Sequence, residues 1–299
     1  MGQIPRRWGV SRAADEENHA NLSPTNPAPT ATFSTAVEVN ENGDAVGWAI
    51  VDGALHAFLY TQEYGPILLP TDGVNAESQA VDLTDRDAFG EILIVGQATA
   101  SNSGMPGSAH LWGFDTTTGT VTRDSVIGTL PGYERSVATA INADGLVVGY
   151  TIGVSIALPS LPMLFDTATQ DLTELDFPAL PADLSDAGVL VGGTFRGDLL
   201  GNAESLGVPV DQHTRAALHA VNDLGESTGT GTRSFSDGSG RFVSSILRYR
   251  HDWEILVSNS AFDAGLDINN QGDVVGQFGI QSSVSAVVYL ETPGGLYFP

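Results

Sequence analysis

Four carboxylic acids hold one place in a repeated phrase of this 299-residue chain. Glu38, Asp82, Asp183 and Asp267 each stand two residues before an Asn, Thr or Ser that opens a turn. Ala140 and Ala220 take the same place in two further copies. A position that recurs in stacked repeats becomes a cluster in space. Clustered carboxylates support two chemistries. Several oxygen ligands together hold a hard cation such as Ca²⁺, which makes these four acids candidate metal ligands and Ca²⁺ the candidate ion. A spaced pair can also divide the acid and nucleophile roles in glycoside cleavage. The structural alternative bonds the acids to backbone N–H or Ser/Thr groups of adjacent repeats, the usual fate of buried carboxylates. Because of the two alanines, an ion would sit off-axis, toward copies one, two and six.

The other chemistry-bearing residues form no motif. His19, His56, His110, His213, His219 and His251 show no metal-ligand spacing, and no His-Glu-x-x-His occurs. His56 and His110 lie in strand-like runs and read as packed residues. His213 and His219 bracket Arg215 in an irregular stretch, a weak site signal. A phosphate-binding Gly-x-x-x-x-Gly-Lys is impossible because the chain has no Lys. Ser236–Gly240 reads as a loop tip without calcium-loop spacing. No cysteine is present, so disulfides, thiolate nucleophiles and Cys-based zinc sites are excluded.

The elements that position the acids come from an internal repeat. The phrase is apolar, Asn-like, two polar residues, Gly, a β-type run, then Val-Gly. It reads Val39-Asn40-Glu41-Asn42-Gly43 through Gly47, and recurs ending at Gly96, Gly149, Gly192, Gly229 and Gly276. The first glycines, at 43, 90, 145, 188, 225 and 272, are spaced like propeller blades. Asn-x-x-Gly between β runs is a hairpin turn: the Asn side chain bonds backbone two residues on, and the Gly takes positive φ. The second glycine, inside a strand, marks a bulge or close backbone approach. Further β runs follow each turn, such as Leu55–Tyr60 and Ala109–Trp112, each closing on an aromatic residue. Copy four is the weakest, with no clean third strand across 193–216. No stretch carries a sustained helical period. The expectation is an all-β, six-bladed β-propeller with about four strands per blade, over residues 35–299.

The turn phrase followed by His56-Ala57-Phe58-Leu59-Tyr60 resembles the HAF repeat of predicted extracellular bacterial proteins. The resemblance runs from about Thr35 to Pro299, with Ser108 and Ser285 at the place of His56 in copies two and six. It implies a propeller-like secreted or envelope protein, and no particular reaction.

Residues 1–34 are rich in Pro, Ser and Thr and read as an extended arm. The start has Arg6-Arg7 but no apolar run behind it, so no signal peptide is visible. Trp8 suggests an arm that docks on protein, including self-association through residues 1–34. The net charge of −24 repels phosphate backbones and anionic lipid surfaces, which argues against nucleic-acid binding, and no apolar run is long enough to cross a bilayer, which argues against membrane insertion. The functional expectation is an extracellular or envelope binding or scaffold propeller, with a glycan as possible ligand and no evident catalytic motif. The alternatives are a self-assembling fibre or surface-layer subunit and a carbohydrate-active propeller enzyme.

Overall fold

A computed structural model describes residues 31–71, 77–99, 107–153, 158–209, 213–234, 242–260, 263–280, 283–290 and 295–297. The chain is all-β: six four-stranded antiparallel sheets, each made from consecutive strands, arranged as a six-bladed β-propeller. The blades span 31–68, 77–126, 133–174, 183–205, 215–260 and 264–297. The first strand of each blade is the inner one: Ala31–Val39, Glu77–Leu83, Tyr133–Ile141, Asp183–Leu184, Arg215–Val221 and Ala264–Ile268. Among the described residues, no blade borrows a strand from another. The arm lies outside the described residues, apart from Ala31–Ser34, which belong to the inner strand of blade one.

The turns form as their residue types require. Asn40 Oδ1 accepts the N–H groups of Asn42 and Asp44, and Gly43 takes φ 81°. Asn142, Asn222 and Asn269 do the same work in blades three, five and six. Along each second strand the glycine of Val-Gly faces an inner strand that comes too close for a side chain. A Cβ on Gly96 would lie 2.0 Å from the carbonyl oxygen of Gln79. The inner strand bulges at that point in blades one, two, three, five and six.

Apolar residues meet between blades rather than within them. Val46 and Leu59 of blade one pack with Ala80, Ile94 and Trp112 of blade two. Clusters of the same kind join blades two to three, three to four, four to five and five to six.

Blade four departs from expectation. It has a third strand, Phe195–Asp198, and an outer strand, Ala203–Ser205, within the stretch whose sequence gives no clean third strand. Both are short. Gly197 pairs with Leu190, the register position where the other blades place Tyr60, Trp112, Phe165, Tyr249 or Tyr289. The aromatic signal is therefore missing while the pairing persists, and Asp198 closes the following turn by accepting the N–H groups of Leu200 and Asn202.

Candidate functional site: the acidic channel mouth

Bulges at the ends of the inner strands interrupt the ladder and turn backbone N–H groups toward the propeller axis. Six such groups follow the six equivalent positions, and four carboxylates take all of them. Glu38, Asp82, Asp183 and Asp267 each accept the N–H of the next residue: Val39 at 3.0 Å, Leu83 at 2.7 Å, Leu184 at 2.8 Å and Ile268 at 2.7 Å. Blades three and five have alanine instead. There the preceding blade supplies the acceptor: Asp82 takes Ile141 N–H at 2.7 Å, and Asp183 takes Val221 N–H at 2.8 Å. Ala140 and Ala220 thus make room for a carboxylate reaching across a blade boundary.

All four acids line one cavity of about 200 Å³, with Glu41, Asp85 and Asp186 at its outer edge. All four are part-buried. Burial pushes all four above the ordinary carboxylate range. For Asp183 it raises the pKa to about 7, opposed by the Val221 N–H and reinforced by Asp267. Glu38 rises well above its usual value through burial, then through Asp267 and Asp82. Asp82 rises likewise through burial and Asp183. Burial also raises Asp267, against the Ile268 N–H. Charge on one of these carboxyls raises the cost of charge on its neighbours, so they titrate together.

Sequence reasoning missed a second layer at the rim. The residue after the turn-opening position reaches back one blade: Asp85 accepts Glu41 N–H, Asp186 accepts Ala143 N–H, Asp223 accepts Ala187 N–H and Asn270 accepts Asp223 N–H. The recurrence of Asp or Asn beside the turn opener was the available signal. These bonds lace consecutive turns together around the mouth.

The histidines do not assemble into a site. His110 is buried, 2.6 Å from Asp124 and stacked on Trp112. His56 lies within a strand, opposite Ala49. His213 meets Ser245 Oγ, while His219 donates from Nδ1 to the Gly265 carbonyl oxygen and is held below the usual histidine range by burial. The two therefore diverge rather than converge on Arg215. His19 and Ser236–Gly240 lie outside the described residues.

Among the described residues, no group of three His, Asp or Glu side chains is arranged to hold a metal ion. Asp82 and Asp183 accept two backbone N–H groups each, whereas Glu38 and Asp267 accept one each. No helix among the described residues is long and apolar enough to cross a membrane.

No family model matches the chain, and no curated protein matches it in sequence. Solved structures do match in fold. An oligogalacturonate lyase in complex with manganese aligns with TM-score 0.57 at 14% identity, over 86% of this chain and 73% of that one. The oligogalacturonate lyase of Vibrio parahaemolyticus aligns with TM-score 0.53 at 12% identity, over 90% and 79%. TolB from Acinetobacter baumannii aligns with TM-score 0.50 at 12% identity, over 85% and 63%. At such identities the likeness concerns the propeller fold alone.

Proposed function

We propose that this chain is a binding or scaffold β-propeller of the cell exterior or envelope, working through its surface and not through chemistry at its centre. The observation that carries this reading is the use made of the central acids. Four carboxylates satisfy six inner-strand N–H groups. Groups that hold the inner strands in place are poorly free to hold or attack a substrate. The HAF-like phrase supports the extracellular placement, and a neutral glycan is the ligand class that the acidic surface tolerates. A glycan array run beside a hydrolysis and elimination screen tests the proposal. Binding without turnover supports it; turnover abolished by Asp183→Asn overturns it.

The enzymatic reading rests on Asp183, whose pKa of about 7 suits proton transfer near neutrality. Oligogalacturonate, the substrate class for which the manganese-bound and Vibrio lyases are named, is a polyanion. A mouth lined by seven carboxylates in a chain of net charge −24 repels it. An enzyme of this architecture would act on a neutral or cationic saccharide.

The Ca²⁺ reading rests on Glu38 and Asp267, each carrying one oxygen beyond its backbone bond. Calcium takes six to eight oxygens, so water would complete most of the shell. Calcium added to chelator-treated protein then raises Tm, and Asp267→Ala removes the increment. An unchanged Tm leaves the carboxylates as structural groups alone.

A further inference from the structure

Among the described residues, five of the six blade boundaries are packed by an apolar cluster, from one/two through five/six. Blade one turns its other face to blade six, and that face is open. Ser78 and Ser136, four residues before the channel position in blades two and three, are 2% and 0% exposed, whereas Ser34 is exposed. Ala80 and Ala138 are fully buried, whereas Ala36 is exposed. Leu83, Ile141, Leu184, Val221 and Ile268 are buried, whereas Val39 is half-buried. The opposing side repeats the pattern. Val46, Val95, Val148 and Val191 each pack toward the next blade with no exposure, while Val275 of blade six is half-buried.

The serines have a defined task. Ser78 Oγ accepts the N–H of Ala57, on the third strand of the preceding blade, at 2.9 Å. Ser136 Oγ accepts the N–H of Ala109 at 3.0 Å. Each N–H lies where the outer strand has ended and would otherwise be buried without a partner. Blade three has Pro162 at this register position, which carries no N–H, and the facing residue of blade four is Ala179, which carries no hydroxyl. Where the donor is missing, so is the acceptor. In blade six the position is Ala286, paired with Gln277 as Ala57 is with Trp48 and Ala109 with Gln97. It has an N–H, and Ser34 is the residue in register to receive it.

We infer that the ring is poised to close: blade six docks on the open face of blade one, with Ser34 Oγ as the latch on the backbone N–H of Ala286. Closure needs no borrowed strand. It covers Ala36, Val39 and Val275, and reproduces at the last boundary the contact that already joins blades one, two and three.

The absence of native cysteine gives a clean test on the full chain. Ser34→Cys with Ala286→Cys reports the last boundary, and Ala57→Cys with Ser78→Cys is the matched control at a packed one. Under mild oxidation both pairs form a disulfide within one chain, read by mass and by non-reducing electrophoresis. A control that oxidises beside a seam pair that stays reduced overturns closure. A seam disulfide between two chains also overturns it, and assigns the face to a second copy. Should either double variant fail to fold, the single variants decide. Ser34→Ala and Ser78→Ala lower Tm by a similar amount, on the order of 3 °C. Loss in Ser78→Ala with none in Ser34→Ala rejects the latch.

Discussion

Asp82 of blade two accepts the backbone N–H of Ile141 in blade three at 2.7 Å, filling the space left by Ala140. It also accepts Leu83 N–H in its own blade. Asp82→Ala therefore strands two N–H groups near the axis. Each unmet buried group costs about 1–3 kcal/mol, partly offset by relief of repulsion from Asp183. The expected loss is about 2–4 kcal/mol in urea unfolding. Asp267→Ala strands one N–H only and loses less. Equal losses for the two variants would mean that the cross-blade bond carries no weight.

The same carboxyls set a pH dependence. Their folded pKa values lie above the unfolded ones, so between about pH 4 and 7 the folded state binds more protons. Stability is then present at mildly acid pH and falls as pH rises through the folded values. Tm should be higher at pH 5 than at pH 8. Asp183→Asn, which removes the group that titrates near 7, should flatten the upper part of that slope. A wild-type Tm that rises from pH 5 to pH 8 would contradict the assignment.

The fold was legible because its punctuation is chemical. Asn40, Asn142, Asn222 and Asn269 stand where a side-chain oxygen must cap a turn, and Gly43 and its equivalents stand where φ is positive. The convergence of the four acids followed from their shared place in the phrase. Their partners were not legible, since backbone N–H groups carry no residue signature. Ser34, Ser78 and Ser136 were overlooked because a serine in a strand reads as surface, and its role depends on where the neighbouring blade ends. The third strand of blade four gave no clean signal because Gly197 removed the aromatic marker without removing the strand.

Glycine substitutions separate steric need from backbone conformation. Gly96 lies in a strand opposite the bulge, and a methyl group there meets the Gln79 carbonyl oxygen at 2.0 Å. That atom belongs to the inner strand and cannot move alone. Gly96→Ala should lose more than ~3 kcal/mol or fail to accumulate as folded protein. Gly53 has φ +82°, and a methyl group added there would meet nothing within 4 Å. Gly53→Ala should lose only about 1–2 kcal/mol, the strain of a left-handed backbone. Comparing the two in one thermal series checks both numbers.

Arg86 joins the first two blades through charge. Its Nε and Nη2 bond both oxygens of Asp44 at 2.7 and 2.6 Å, and Nη1 and Nη2 reach Glu63 at 3.0 and 2.8 Å. Asp44 has no exposure, while about a fifth of the Arg86 side chain does. Arg86→Ala leaves a buried carboxylate facing no cation, which costs about 3 kcal/mol. Glu63→Ala removes only an exposed, solvent-screened partner and should cost far less. Arg86→Lys keeps the charge but loses the two-pronged geometry, and should fall between them. Adding Asp44→Asn to Arg86→Ala removes the stranded charge and should recover part of the loss. A double variant no more stable than Arg86→Ala would show that the guanidinium acts through packing alone. Urea midpoints for the four variants, taken at low and at high salt, decide between these outcomes, because a buried pair is screened far less than an exposed one.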